Sequence, residues 1–313
     1  MNNKSLIWLT TPLNLEREKQ RFFASRKYNP IFEYIWQQKA IEPKDLKKKA
    51  NLISAIQTQD LSKITSEGKK YFNLYSDPNT SIKAREILKK DVIAKTEGVD
   101  KLVSEFKKAL QKFDLEYEIK LSDTNAFAVR PQYSKGRILI NKKMRLELGS
   151  VEGLVKHEMV HLVRYENTLS NKFGFKNNFL LAEEGLASYI QDFKSPNGEM
   201  SLYKHAAEYL ASGIAAKSSL RSVFEFLREC GFSKDHAWQR SIRHKFGIVE
   251  TSKPGSFLKP AIYFENEMKV IKLQEVEILK LFSGKISLDY LSKIEKYQGK
   301  YSEQKIKEYF LRA

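Results

Sequence analysis

The stretch SVEGLVKHEMVHLVRYENTLS, residues 150–170, decides how this chain is read. Val151, Leu154, Val155, Leu162 and Val163 recur at the spacing of one helix face, so the segment is expected to be an amphipathic helix. Ser150 is the expected N-cap, and Glu152 falls in the first turn, where the helix dipole favours negative charge. Residues four apart share a face. His157 and His161 can therefore aim two imidazoles at one point, while Glu158, about 100° further round, flanks that point without having to bind there. His-Glu-x-x-His is the spacing of two metal ligands with an adjacent general base. The chain has only five histidines, and two of them make this pattern.

On the N-terminal side the period changes. YEIKLSD (117–123), NAFAV (125–129) and GRILIN (136–141) alternate or run apolar over short lengths, punctuated by Pro131 and Gly136, and read as a small sheet. Upstream, NLEREKQRFFASRK (14–27), NPIFEYIWQQKAI (29–41), DLKKKANLISAIQ (45–57) and the stretch 81–113 carry helical spacing, with a turn at Asp77-Pro78. On the C-terminal side NKFGFKNNF (171–179) reads as a loop and LAEEGLASYIQDF (181–193) as a helix that ends at SPNG. Helices are expected near 200–216 and 219–230, a turn at SKPGS (252–256), and helix again over 269–312. The expected fold is α+β and mostly helical. A helical N-terminal region, 1–115, leads into a catalytic body, 116–313.

A catalytic zinc takes three protein ligands and keeps one position open. The lone cysteine, Cys230, follows no ligand motif, and no histidine stands in LVRYENTLSNKFG. The next candidates are the adjacent Glu183 and Glu184 in AEEGLASY. Helix phase turns only one of them inward, and Glu184 precedes Gly185, which permits close approach of another backbone. A carboxylate lent by the following helix is similar to the arrangement of the gluzincins.

HEMVH followed by EEGLASY resembles the tyrosine carboxypeptidases that act on microtubules, and their bacterial relatives. PLNLEREKQRFF and YNPIFEY near the N-terminus, and SKPGSFLKPAIYF downstream, extend the likeness. The resemblance implies a gluzincin-like zinc metallopeptidase with one Zn2+ per chain, held by His157, His161 and Glu184. The last falls on the family's glutamate before Gly-Leu-Ala. It implies removal of a C-terminal residue, tyrosine in the family, from an acidic protein tail such as that of tubulin. Glu158 is the expected general base. Arg243, Lys245 and Lys259 are candidates for the substrate carboxylate, and Tyr263 and His244 for the oxyanion. The sequence departs from the family pattern at Phe246, where a basic residue is expected, and at Pro260, where aspartate is expected after Lys259. The alternatives are a zinc endopeptidase or aminopeptidase, or a non-enzymatic regulatory protein that retains the zinc site.

Composition bounds the partners. Fifty-five basic residues against 38 acidic give a net charge of +17, which favours acidic partners. The lysines are dispersed, and no helix-turn-helix or RNP-like signal accompanies them, so no specific nucleic-acid partner is expected. No apolar run approaches the roughly 18 residues of a membrane span. The opening MNNKSLIWLTTPLN has too short an apolar patch for a secretory signal, and the single cysteine excludes an internal disulfide. The expected compartment is the cytoplasm, with export lacking a cleaved signal as the alternative.

Overall fold

The computed structural model describes residues 6–38, 49–74, 77–90, 97–123, 128–143, 150–171, 173–176 and 178–312. The start of DLKKKANLISAIQ, most of NAFAV and the middle of the 81–113 stretch lie outside the described residues. In chain order the helices are α1 (Leu6–Thr10), α2 (Leu15–Ala24), α3 (Ile35–Gln38), α4 (Ala50–Thr58), α5 (Leu61–Tyr71), α6 (Pro78–Ile87), α7 (Val99–Lys112), α8 (Val151–Ser170), α9 (Phe179–Phe193), α10 (Gly198–Lys217), α11 (Leu220–Glu229), α12 (Lys234–His244), α13 (Ala261–Val270), α14 (Glu275–Leu281) and α15 (Glu303–Ile306). Between α7 and α8 lie β1 (Glu118–Ser122), β2 (Val129–Gln132) and β3 (Arg137–Asn141). The architecture is mostly helical with one small sheet, as expected. Among the described residues no helix is long and apolar enough to cross a membrane.

The chain divides into two compact units, one of residues up to 88 with 206–262, the other of 89–205 with 263 onward. α7 packs with the sheet: Leu102, Phe106, Ala109 and Leu110 along one face of it enter the same core as Ile138, Ile140, Val155 and Met159.

In the first unit the core is aromatic. Phe22 meets Phe224 edge-on at 5.0 Å and Trp238 at 4.9 Å. The Arg221 guanidinium lies 3.4 Å from the Phe22 ring centroid and donates to the carbonyls of Phe22, Ser25 and Tyr28. Among the described residues of NPIFEYIWQQKAI, helix covers Ile35–Gln38, and 39–41 lie outside them. Residues 31–34 are extended: Ile31 bridges Glu250, and the Phe32 amide donates to the Val249 carbonyl. Phe32 and Tyr34 are buried while Ile31 and Glu33 face solvent, a period of two that overrides the helical spacing.

In the second unit the strands run in the order β1-β3-β2. β1 pairs parallel with β3 from Glu118–Arg137 to Ser122–Asn141, and β2 pairs antiparallel with it. Gly136, at φ +54°, turns the β2–β3 hairpin. Ile138 and Ile140 point from β3 into a core shared with Val151, Met159, Leu186, Ile190, Phe282 and Phe310. Ser150 caps α8 as the sequence indicates, accepting from the Gly153 amide at 2.9 Å. The expected continuous helix over 269–312 is instead broken into α14, a 3-10 turn at Leu288–Lys293, and α15 running into a π turn at Lys307–Leu311.

The break after α14 has a cause. Arg164, wholly buried on α8, donates to the carbonyls of Gly284 (2.9 Å) and Ile286 (2.7 Å). Asn167 donates to the Phe282 carbonyl, and Thr168 Oγ1 accepts from the Lys285 amide. These side-chain bonds replace the intrahelical ones, and a Cβ on Gly284 would lie 2.9 Å from Thr168 Oγ1.

α9 approaches α13 at Gly185, where an added Cβ would lie 2.7 Å from the Asn266 carbonyl carbon and oxygen. Backbone cannot rotate away as a side chain can. Gly185→Ala is expected to lower stability by about 1–3 kcal/mol, the usual cost of overpacking, measured as the urea midpoint. An unchanged midpoint would show that the two helices part without cost.

Candidate metal centre

α8 places the His157 and His161 rings with centroids 5.1 Å apart, both on its buried side. α9 supplies Glu184, whose Oε2 is 3.6 Å from His157 Nε2 and 3.7 Å from His161 Nε2. Ligands about 2.0–2.1 Å from one zinc in tetrahedral geometry stand about 3.3 Å from each other. Glu184 Oε2 thus stands near that separation from each nitrogen, and the three donor atoms, two nitrogens and one carboxylate oxygen of the kinds zinc takes, all lie within 4.8 Å of one another.

Glu158 leaves the same helix beside this point. Burial pushes its carboxyl up to about 7; His161 works against that, the Glu184 and Glu183 charges add to it, and Lys285 opposes. A carboxyl poised there can both take and return a proton near neutrality.

Glu183 faces the other side of His161, with Oε1 3.4 Å from His161 Nδ1. It is buried, and so is Lys285, whose ammonium is ion-paired to the same oxygen and also donates to the His161 carbonyl at 3.1 Å. Burial alone would raise the Glu183 carboxyl, but the Lys285 ammonium, with His161 and Arg164, holds it down at about 2. Burial draws the Lys285 ammonium down against the pull of Glu183. Sequence reasoning missed Lys285 and Arg164. Nothing in FSGKISL marks Lys285, because its role comes from contacts more than a hundred positions away in the chain.

A second group, Asp192, His205 and Glu267, is also buried and convergent. Here His205 Nδ1 lies 2.6 Å from Asp192 Oδ2, a hydrogen bond and closer than two ligands of one ion stand. Burial and the neighbouring Asp192 raise the Glu267 carboxyl well above the usual range. His205 and Asp192 form a hydrogen-bonded pair with the buried Glu267 beside them.

The structure sorts the remaining sequence candidates. Tyr263 lies beside the centre, its ring 6.3 Å from His157 and stacked at 5.7 Å on His205. Arg243, Lys259, His244 and Lys245 belong to the first unit. His244 is fully buried, 3.1 Å from Ser212 Oγ, and burial pulls it down to about 3, so it is neutral. Lys245 is corrected: its buried ammonium donates to the carbonyls of Ala215, Ser218, Lys253 and Gly255 at 2.7–2.9 Å. Four acceptors exceed its three donors, which leaves none for a substrate. Arg243 and Lys259 are half-buried.

A family model described as microtubule-associated tyrosine carboxypeptidase matches residues 44–305. The chain is 27% identical over 318 residues to a putative tyrosine carboxypeptidase, MATCAP2, of Mus musculus, covering 94% of this chain and 57% of that protein. It is 24% identical over 304 residues to microtubule-associated tyrosine carboxypeptidase 1 of Mus musculus, covering 91% and 61%. Against the Homo sapiens protein of that name it is 25% identical over 296 residues, covering 89% and 59%. The chain thus spans less than two thirds of the length of these relatives. With the match extending over most of its own length, the chain belongs to the microtubule-associated tyrosine carboxypeptidase family.

Proposed function

We propose that this chain is a zinc-dependent carboxypeptidase with a gluzincin-like core, removing a C-terminal residue, tyrosine by preference, from an acidic protein tail such as that of tubulin. The observation that carries this reading is the convergence of Glu184 Oε2 on both Nε2 atoms, at 3.6 and 3.7 Å, with Glu158 alongside. His157, His161 and Glu184 would hold one zinc, which supplies Lewis acidity to the attacking water and the scissile carbonyl. Glu158 accepts the water's proton and returns it to the leaving amine. Tyr263, beside His157, offers a hydroxyl to the developing oxyanion. Arg243 and Lys259 remain the cations proposed for the substrate's terminal carboxylate.

Two further features support the substrate class. The net charge of +17 attracts acidic tails over a range set by salt. A row of aromatic rings also flanks the centre. Tyr133, whose phenol is raised by burial and then by Glu183, Glu158 and Glu184, stacks on Tyr165 at 4.4 Å. Tyr165 lies 6.2 Å from Phe175, which is 56% exposed and so open to an aromatic side chain of the substrate.

The test uses acidic peptides ending in tyrosine, with free or amidated termini, and mass spectrometry of the products. The free acid is expected to lose one tyrosine, faster at low salt, and the amide to be cut far more slowly. Equal cleavage of the two, or internal cuts, would identify an endopeptidase.

A further inference from the structure

We propose that the buried Glu183–Lys285 pair fixes the tautomer of His161 and so decides which of the two adjacent glutamates binds metal. The inference rests on reading His157, His161 and Glu184 as the metal centre. Neighbouring residues on a helix point about 100° apart, and the two carboxylates use that angle to reach opposite edges of one imidazole. Glu184 Oε2 faces His161 Nε2, and Glu183 Oε1 faces His161 Nδ1. A neutral imidazole has one N–H and one lone pair. A carboxylate 3.4 Å from Nδ1 favours the tautomer that carries its N–H there, which turns the lone pair of Nε2 toward Glu184 and the ion. A carboxylate already bound to an ammonium is also a poor ligand for a cation, so Lys285 keeps Glu183 out of the coordination sphere.

Lys285 is not placed by chance packing. Its amide is bonded to Thr168 and its ammonium to the His161 carbonyl, while the carbonyls on either side, of Gly284 and Ile286, receive Arg164. His161, Arg164 and Thr168 all belong to α8. The helix that carries the ligand therefore also holds the cation that orients it. Buried ion pairs are weak sources of stability when replaced by apolar groups of like volume. A pair with Glu183 3% and Lys285 2% exposed thus calls for a reason other than stability. Among the described residues His157 Nδ1 has no hydrogen-bond partner, so the effect belongs to His161 alone.

The experiment reads the tautomer directly. Metal-free, 15N-labelled protein is examined by long-range 1H–15N NMR of its imidazoles, and zinc affinity is measured by chelator competition. Wild type is expected to show His161 protonated at Nδ1. The apolar double variant Glu183→Leu/Lys285→Met is expected to lose that signature, leave the His157 resonances in place, and bind zinc about 10–100-fold more weakly. Wild-type His161 protonated at Nε2 would overturn the proposal without any variant. So would a double variant that binds zinc as tightly as wild type. A wild-type chain that takes up no zinc at all would overturn the metal reading, and this proposal with it.

Discussion

Replacing Glu158 by glutamine is expected to leave zinc content unchanged and to lower turnover by at least about 100-fold, the lower end of general-base catalysis. Glutamine keeps the shape of the side chain and its place on α8, one residue past His157. It cannot accept a proton from water. The loss should fall on kcat, since the carboxylate acts on the reacting atoms and not on the body of the peptide. Folding should be little affected, because glutamine fills the same volume and needs no counter-charge where it is buried. Metal analysis beside kinetics on a tyrosine-ended acidic peptide checks both halves. Normal turnover in a zinc-loaded Glu158→Gln chain would remove Glu158 from the mechanism.

The second large effect is on the metal itself. Wild type is expected to hold about one zinc per chain, and His161→Ala or Glu184→Ala to lose most of it, since two remaining ligands make a poor site. Glu183→Ala should retain more, because its oxygen meets Nδ1 and not the Nε2 side where the other donors converge. Zinc stripped by Glu183→Ala but kept by Glu184→Ala would move the ligand assignment by one residue.

What the sequence displays, and what it hides, follows the range of the interactions. The motif helix was legible because its apolar period, its Ser150 cap and the four-residue spacing of its histidines are all local. Gly185 could be read as a point of close approach, though not that Asn266 would be the neighbour. The segment at 29–34 carries both periods at once, and only the bridge of Ile31 to Glu250 selects the extended form. The stretch 269–312 has good helical spacing, yet Arg164, Asn167 and Thr168 draw its backbone into a loop at 282–286. Lysine in a chain with 55 basic residues carries no signal, so Lys285 could not be told from Lys245. One sits against His161 and the other closes a turn.

The loop at 282–286 also sets an order in time. Synthesis runs from the N-terminus, so His157, His161 and Glu184 all leave the ribosome well before Lys285 does. On the proposed role of the Glu183–Lys285 pair, the donor set is complete only once residues 282–286 have docked on α8, the last of its parts to be made.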